Sequence, residues 1–245
     1  MWQAILFGLA GSVGAILGAA ALLVFSDRLR TRLLPCLLSY ATGTLLGAAF
    51  LGMLPKALEQ APPALVSGAV LAGLVGFFIL EKLVIWRHCH DQDCQAHGRQ
   101  GGVLILVGDA FHNFVDGVVI AAAFLYSQSL GIATALAVIA HEIPQELGDF
   151  AILLHSGLSK ARAFVYNLVS SLTTLLGVVV GWYWLDETRQ AIPFVLAVSA
   201  ASFIYIAVAD LVPDLHRHAT LTAGVRQVLL ILAGIATIAY FRFGA

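Results

Sequence analysis

The sequence predicts an all-α integral membrane protein with eight spanning helices, and three observations carry that reading. Hydrophobic residues fill 60% of the 245 positions and charged residues only 11%, with a mean hydropathy of +0.92. A soluble domain carries about 25% charged residues because its surface faces water. Eight runs have the roughly 20 mostly apolar residues that cross a bilayer core, at residues 5–25, 34–54, 64–86, 103–125, 130–154, 163–185, 193–212 and 225–243. Ten of the 13 Lys and Arg residues lie on one set of loops: Arg28, Arg30, Arg32, Lys82, Arg87, Arg99, Lys160, Arg162, Arg217 and Arg226. Lys56, Arg189 and Arg242 hold the other side. Because cytoplasmic loops collect positive charge, both termini are expected outside and the 87–101 loop in the cytoplasm.

The first run reads as a spanning helix rather than a signal peptide. Met1-Trp2-Gln3 carries no positive side chain, and the run outlasts the 7–15 residues of a typical signal h-region. The second follows the arginine cluster at residues 28–32. The third leads into a loop of mixed His, Cys and Asp. The fourth and fifth carry polar groups that a lipid-facing helix would not. The sixth holds Asn167 and Ser171, small polar groups suited to interhelical hydrogen bonds or to lining a site. The seventh holds Asp210 near its end, and the eighth ends just before Ala245. Short connections make residues 1–245 one membrane domain. No sequence repeat is evident, and most of the many glycines serve close helix packing. A net charge of −1 gives no basic footprint for nucleic acid, and three cysteines give no disulfide framework.

Asp109 and Asp116 lie in the fourth span, and Glu142, Glu146 and Asp149 in the fifth. Facing lipid and ionised, the five would cost on the order of 12–17 kcal/mol on insertion scales, as much as the whole stability of a typical fold. They must therefore face a shared watery cavity or pair with cations. At about 100° per residue, His112, Asp116, Asp109 and Asn113 fall on one face of the fourth span. His141, Gln145, Asp149, Glu142 and Glu146 fall on one face of the fifth. Counting about 1.5 Å per residue from the ends of the apolar runs sets Asp109 level with Asp149, His112 with Glu146, and Asp116 with His141. Imidazoles beside carboxylates suit zinc, iron, nickel or manganese rather than calcium or magnesium. His112/Asp116, His141/Gln145 and Glu142/Glu146 are i,i+4 neighbours that can share an ion. Pro144 interrupts the fifth span and frees the carbonyl of Ala140.

These residues resemble the ZIP family of metal transporters. His112-Asn113-Phe114-Val115-Asp116-Gly117 is similar to the family's HNFxDG, and His141-Glu142-Ile143-Pro144-Gln145-Glu146-Leu147-Gly148-Asp149-Phe150 to the HExPHExGDF of one subfamily. Gly76 to Lys82 before the His-bearing loop, and Asp210-Leu211-Val212-Pro213-Asp214, add weaker likeness. The resemblance implies a 3+2+3 helix arrangement, a homodimer, and a metal site formed by His112, Asn113, Asp116, His141, Glu142, Gln145 and Glu146. Gln145 departs from the pattern, which has histidine there. A neutral amide is a weaker ligand, so the departure implies a second ion held loosely or not at all and a shift toward harder metals such as manganese or iron.

The function expected is carriage of zinc first, with iron, manganese or cadmium as alternatives, toward the cytoplasm of a cell's plasma (inner) membrane. The ion is cargo, and no cofactor or catalytic residue is expected. Asp109 and Asp149, with His90 and His216, extend the path toward the cytoplasm. The stretch His88-Cys89-His90-Asp91-Gln92-Asp93-Cys94-Gln95-Ala96-His97 offers soft ligands to an emerging ion, although its cysteine spacing is not that of a zinc finger. Two other readings compete. A cation-diffusion exporter would have six spans and a soluble C-terminal domain. A membrane metalloenzyme would need an open coordination position and a pocket for an organic substrate.

Overall fold

The computed structural model describes residues 1–88, 99–216 and 221–243, and every regular element among them is helical. The first span is α1 (Trp2–Val24). The second is a composite of α2 (Asp27–Gly47), a π-helical segment (Ala48–Met53) and α3 (Leu54–Gln60). Next come α4 (Pro63–His88), α5 (Arg99–Tyr126) and α6 (Gln128–His155). The sixth span is bent into α7 (Lys160–Ser171) and α8 (Thr173–Glu187). The seventh combines α9 (Ile192–Tyr205), a second π-helical segment (Ile206–Leu211) and α10 (Val212–His216), and α11 (Leu221–Phe243) is the eighth.

Local sequence explains the boundaries. Ser127 accepts a hydrogen bond from the Leu130 amide (3.2 Å) at the start of α6, and Ser159 one from the Arg162 amide (3.4 Å) at the start of α7, which satisfies donors the first helical turn leaves unpaired. Gly157, at φ 87°, makes the turn between α6 and α7 in the left-handed region open to glycine. Each π-helical segment ends two residues before a proline, Pro55 in one case and Pro213 in the other. A proline removes a donor and clashes with the carbonyl four residues back; widening the preceding turn accommodates both.

Among the described residues, seven helical stretches are long and apolar enough to cross a membrane: 2–24, 28–60, 63–80, 106–126, 160–187, 189–216 and 221–243. The eighth expected span, α6, has the length but not the hydropathy, because His141, Glu142, Gln145, Glu146 and Asp149 interrupt it. The expected eight helices are thus present, and the least apolar of them is the one with the longest polar stripe.

Packing pairs α1 with α6, α5 with α8, α2 with α11 and α4 with α9. Exchanging spans one to three with six to eight, and four with five, maps these pairs onto one another. That is the relation a 3+2+3 arrangement requires, and it also exchanges the two π-helical segments. Two close crossings tie the pairs together. A methyl on Gly117 would run into the carbonyl of Thr174, and one on Gly177 into that of Phe114. Gly43 and Gly234 play the same role between α2 and α11, against the backbones of Ile231 and Tyr40. Small residues at such crossings let helix backbones approach where lipid supplies no hydrophobic drive. The core between α5, α6 and α9 is built largely of Ala121–Ala123, Ala133, Ala137, Ala197 and Ala200, all fully buried.

Candidate metal centre

The site forms where α5 and α6 run side by side. His112 and Asp116 project from successive turns of α5, and His141 and Glu142 from α6. His141 Nε2 lies 3.2 Å from Asp116 Oδ2, 3.5 Å from Glu142 Oε1 and 3.3 Å from His112 Nε2. His112 Nε2 lies 3.5 Å from Glu142 Oε1 and 3.9 Å from Asp116 Oδ2. Zinc binds nitrogen and carboxylate oxygen at about 2.0–2.2 Å in a tetrahedron, which sets ligand atoms roughly 3.3–3.6 Å apart. Three of the five separations fall within that spacing, the His141–Asp116 one (3.2 Å) is slightly shorter and the His112–Asp116 one (3.9 Å) slightly wider.

The hydrogen bonding fixes the chemistry of these atoms. His141 Nδ1 lies 3.0 Å from the Ala137 carbonyl oxygen, which can only accept, so Nδ1 carries a proton and Nε2 is the nitrogen whose lone pair the neutral ring turns toward the site. An imidazole held this way is the usual arrangement of a metal-ligating histidine. The ring also packs edge-on against Phe203, with centroids 5.9 Å apart. Both oxygens of Asp116 and both of Glu142 are buried without a hydrogen-bond donor. A proton on His112 Nε2 would satisfy one of these acceptors and leave the others; a divalent cation at their common centre satisfies all four residues. Three side chains are 1% exposed and His112 is 23% exposed, so access is from the His112 side.

A second group adjoins the first. Single oxygens of Asp109, Glu142 and Glu146 lie within 4.8 Å of one another, so Glu142 belongs to both groups. Asp109 Oδ1 accepts from Asn113 Nδ2 (2.9 Å) and Gln145 Nε2 (3.4 Å), while Asp109 Oδ2 and both oxygens of Glu146 are buried without a donor. All-oxygen donors suit harder cations than the first group does.

His112, Asp116, His141 and Glu142 come together in the first group, and Glu146 joins the second. Asn113 and Gln145 sit between them, each donating to Asp109; the Asn113 side-chain oxygen accepts from Thr174 Oγ1 (2.9 Å). Asp109 is a full member of the second group, whereas Asp149 is partly buried and belongs to neither. His216 is exposed at the end of α10 and is also outside both groups. His90 and most of the 87–101 loop lie outside the described residues. Asp210 is exposed on the second π-helical segment.

Asp116 meets His141 as expected (3.2 Å), but Asp109 is off by a turn, meeting Gln145 rather than Asp149. The helices outrun their apolar segments, since α5 starts at Arg99 and α6 ends at His155. Counted from those true ends, Asp109 and Gln145 are each ten residues in, about 15 Å. Asn167 from α7 reaches the site's helix, its Nδ2 donating to the Glu146 carbonyl (3.3 Å). Its Oδ1 and the Ser171 hydroxyl are buried without partners. Sequence reasoning missed Thr174 and Phe203. The hydroxyl-rich stretch Ser170-Ser171-Leu172-Thr173-Thr174 was the signal for the first, and Phe203 had none.

The family model described as ZIP Zinc transporter matches residues 86–242. The chain belongs to the ZIP family. Its ZIP relatives include zinc transporter ZIP13 of Pongo abelii, 33% identical over 222 residues that cover 84% of this chain and 66% of that protein. Zinc transporter zipt-7.2 of Caenorhabditis elegans is 31% identical across 83% of this chain and 57% of its own length. Human zinc transporter ZIP4 is 46% identical over 110 residues, 45% of this chain and 17% of that protein. The chain thus spans under two thirds of each of these ZIP proteins. They are named as transporters and not as enzymes, and the membrane setting of the family agrees with the spans described above.

Proposed function

We propose that this chain carries divalent transition-metal ions, zinc first, through the bilayer toward the cytoplasm. The observation that carries the reading is the convergence of two imidazole nitrogens and two carboxylates within 4.8 Å of one another, with both carboxylates buried and lacking donors. Two nitrogens with two oxygens suit zinc best; iron, manganese and cadmium are the competing cargoes. The names of the ZIP relatives support zinc.

An ion entering past the partly exposed His112 sheds water against His112, Asp116, His141 and Glu142. Glu142 then passes it to Glu146 and Asp109 without a return to water, and Asp149 lies farther along α6. Access alternates as the bundle of α1, α5, α6 and α7–α8 moves against that of α2, α4, α9 and α11. The orientation proposed puts both termini outside in a plasma membrane, from the distribution of Lys and Arg, with residues 1–245 as one transporter domain. The assembly proposed is a homodimer, to be read by native mass spectrometry.

Flux into proteoliposomes tests the function, comparing zinc, iron, manganese and cadmium with a His112→Ala/Glu142→Ala variant alongside. Saturable zinc flux lost in the variant is the expected result. Tight binding with no flux of any ion would overturn transport in favour of a resident metal.

A further inference from the structure

Helix α6 has two working faces. With His141 at zero and about 100° per residue, the ligands His141, Glu142 and Glu146 span roughly 0–140°. Pro144, Leu147, Gly148, Ala151 and Leu154 fall at roughly 220–340°. That opposite face lines a groove of about 1240 Å³ closed by α1, α2 and α7, larger than the roughly 300–1,000 Å³ of a small-molecule pocket. Its wall is apolar, with Leu34 and Leu38 from α2 and Phe164 from α7 facing Leu147 and Phe150. A methyl placed on Gly148 would meet nothing within 4 Å, so the groove is open against the helix itself.

The groove's length and rim name its occupant. From Pro144 to Leu154 is ten residues, about 15 Å along the helix, half of a hydrocarbon core of about 30 Å and so the depth of one leaflet. At the deep end the lining is wholly apolar. At the shallow end stand Arg30 and Thr31 of α2, Lys160 of α7 and one acid, Asp214 of α10. Arg28, Arg32 and Arg162 are exposed on the same rim helices, so among the described side chains lining or flanking the groove basic groups outnumber the acid. Basic pockets between spanning helices on the cytoplasmic side take anionic headgroups.

We infer that this groove binds an anionic glycerophospholipid of the cytoplasmic leaflet, its acyl chains against Leu34, Leu38, Leu147 and Phe164 and its phosphate between Arg30 and Lys160. The leaflet assignment rests on the orientation proposed above; the binding itself does not. The groove lies between the two bundles proposed to move, so a seated lipid would bear on their exchange.

The full chain, delipidated in detergent, is titrated with phosphatidylglycerol and with phosphatidylcholine of the same acyl chains and read by native mass spectrometry. Phosphatidylglycerol is expected to half-saturate at a concentration at least tenfold lower. Arg30→Gln/Lys160→Gln should bring the two lipids within twofold of each other, and Gly148→Leu, which fills the acyl seat, should weaken both. Equal affinity of the unmodified chain for the two lipids overturns the inference. So does a preference that survives in the charge variant, or equal competition by glycerol phosphate lacking acyl chains. Should the charge variant not fold, undiminished phosphatidylglycerol binding by Gly148→Leu overturns it instead. Nanodiscs present both leaflets, so repeating the titration there leaves binding independent of orientation. Cysteine labelling at residue 160 from either side of sealed cells then tests the leaflet alone.

Discussion

Neutralising Asp116 should strengthen the metal-free protein while weakening its hold on zinc. Oxygens of Asp116 and Glu142 lie within 4.8 Å of each other, and neither has a hydrogen-bond donor. With both ionised and an effective dielectric constant of about 20, Coulomb's law gives a repulsion of about 3.5 kcal/mol at that distance. Asp116→Asn keeps the shape, removes the repulsion and places an amide donor beside Glu142. Two carboxylates in one buried site disfavour each other's ionisation, so removing one relieves the other. With zinc the sign reverses, because a charged member of a four-ligand set is lost. The affinity cost should exceed the roughly 10–100-fold seen when only an outer-shell partner is removed. The assay is thermal unfolding in detergent, with chelator and with graded zinc, since a ligand that binds only the folded state raises stability by RT ln(1 + [L]/Kd). The variant should melt higher than the parent in chelator and gain less from zinc. A lower melting point in chelator together with an unchanged gain from zinc would refute the charge-conflict account of the site.

Gln145→His puts a nitrogen ligand beside Asp109, so zinc bound per chain should rise from one to two by isothermal titration; an unchanged stoichiometry would detach Gln145 from the second group. Zinc uptake should weaken as pH falls, because imidazole and carboxylate ligands bind metal only when deprotonated. The sign is a half-saturating zinc concentration that increases steadily from pH 7.5 to pH 5.5 in vesicle flux, and a pH-independent value would count against direct ligation. Gly117→Ala drives a methyl into the Thr174 carbonyl and should cost about 1–3 kcal/mol, the usual penalty of overpacking, seen as a lower melting point with zinc-to-protein stoichiometry retained.

The fold was legible because a bilayer permits little else: apolar length gave the spans, and Lys and Arg gave an orientation. The polar face was legible for a related reason. Charged groups are too costly in lipid to be accidental, so His112, Asp116, His141 and Glu142 announced themselves and their phase brought them together. Height was less legible, since it depends on where a helix ends in space rather than where its apolar run ends. That is why Asp109 meets Gln145 and not Asp149. The internal symmetry was not legible at all. The π-helical segments before Pro55 and Pro213 share a position relative to their prolines, yet Ala-Ala-Phe-Leu-Gly-Met and Ile-Ala-Val-Ala-Asp-Leu share almost no side chains. What repeats is a backbone response to proline, and backbone geometry leaves no compositional trace. Thr174 stayed hidden because a hydroxyl in a spanning helix satisfies its own backbone as readily as a neighbour, and here its one proton lies between two acceptors, the Ser171 carbonyl and Asn113 Oδ1, each 2.9 Å away.

The position of Glu142 in both groups bears on how a site can be selective and still let go. A closed tetrahedral set holds zinc too well for a conduit, since passage requires binding favourable enough to enter and weak enough to leave. If the two groups were separate, an ion leaving the first would have to recover its water in a buried space or cross a gap without ligands. Sharing Glu142 removes that gap. In the route proposed above, an ion that Glu146 and Asp109 begin to coordinate would keep one carboxylate and exchange imidazole for oxygen. Zinc favours nitrogen more than calcium or magnesium does, so the exchange runs from the tighter set to the looser one. The looser set is the one whose motif histidine is replaced by Gln145. On this reasoning Gln145 does not impair the site but lowers the final step, and Gln145→His should slow zinc release even as it adds a second bound ion.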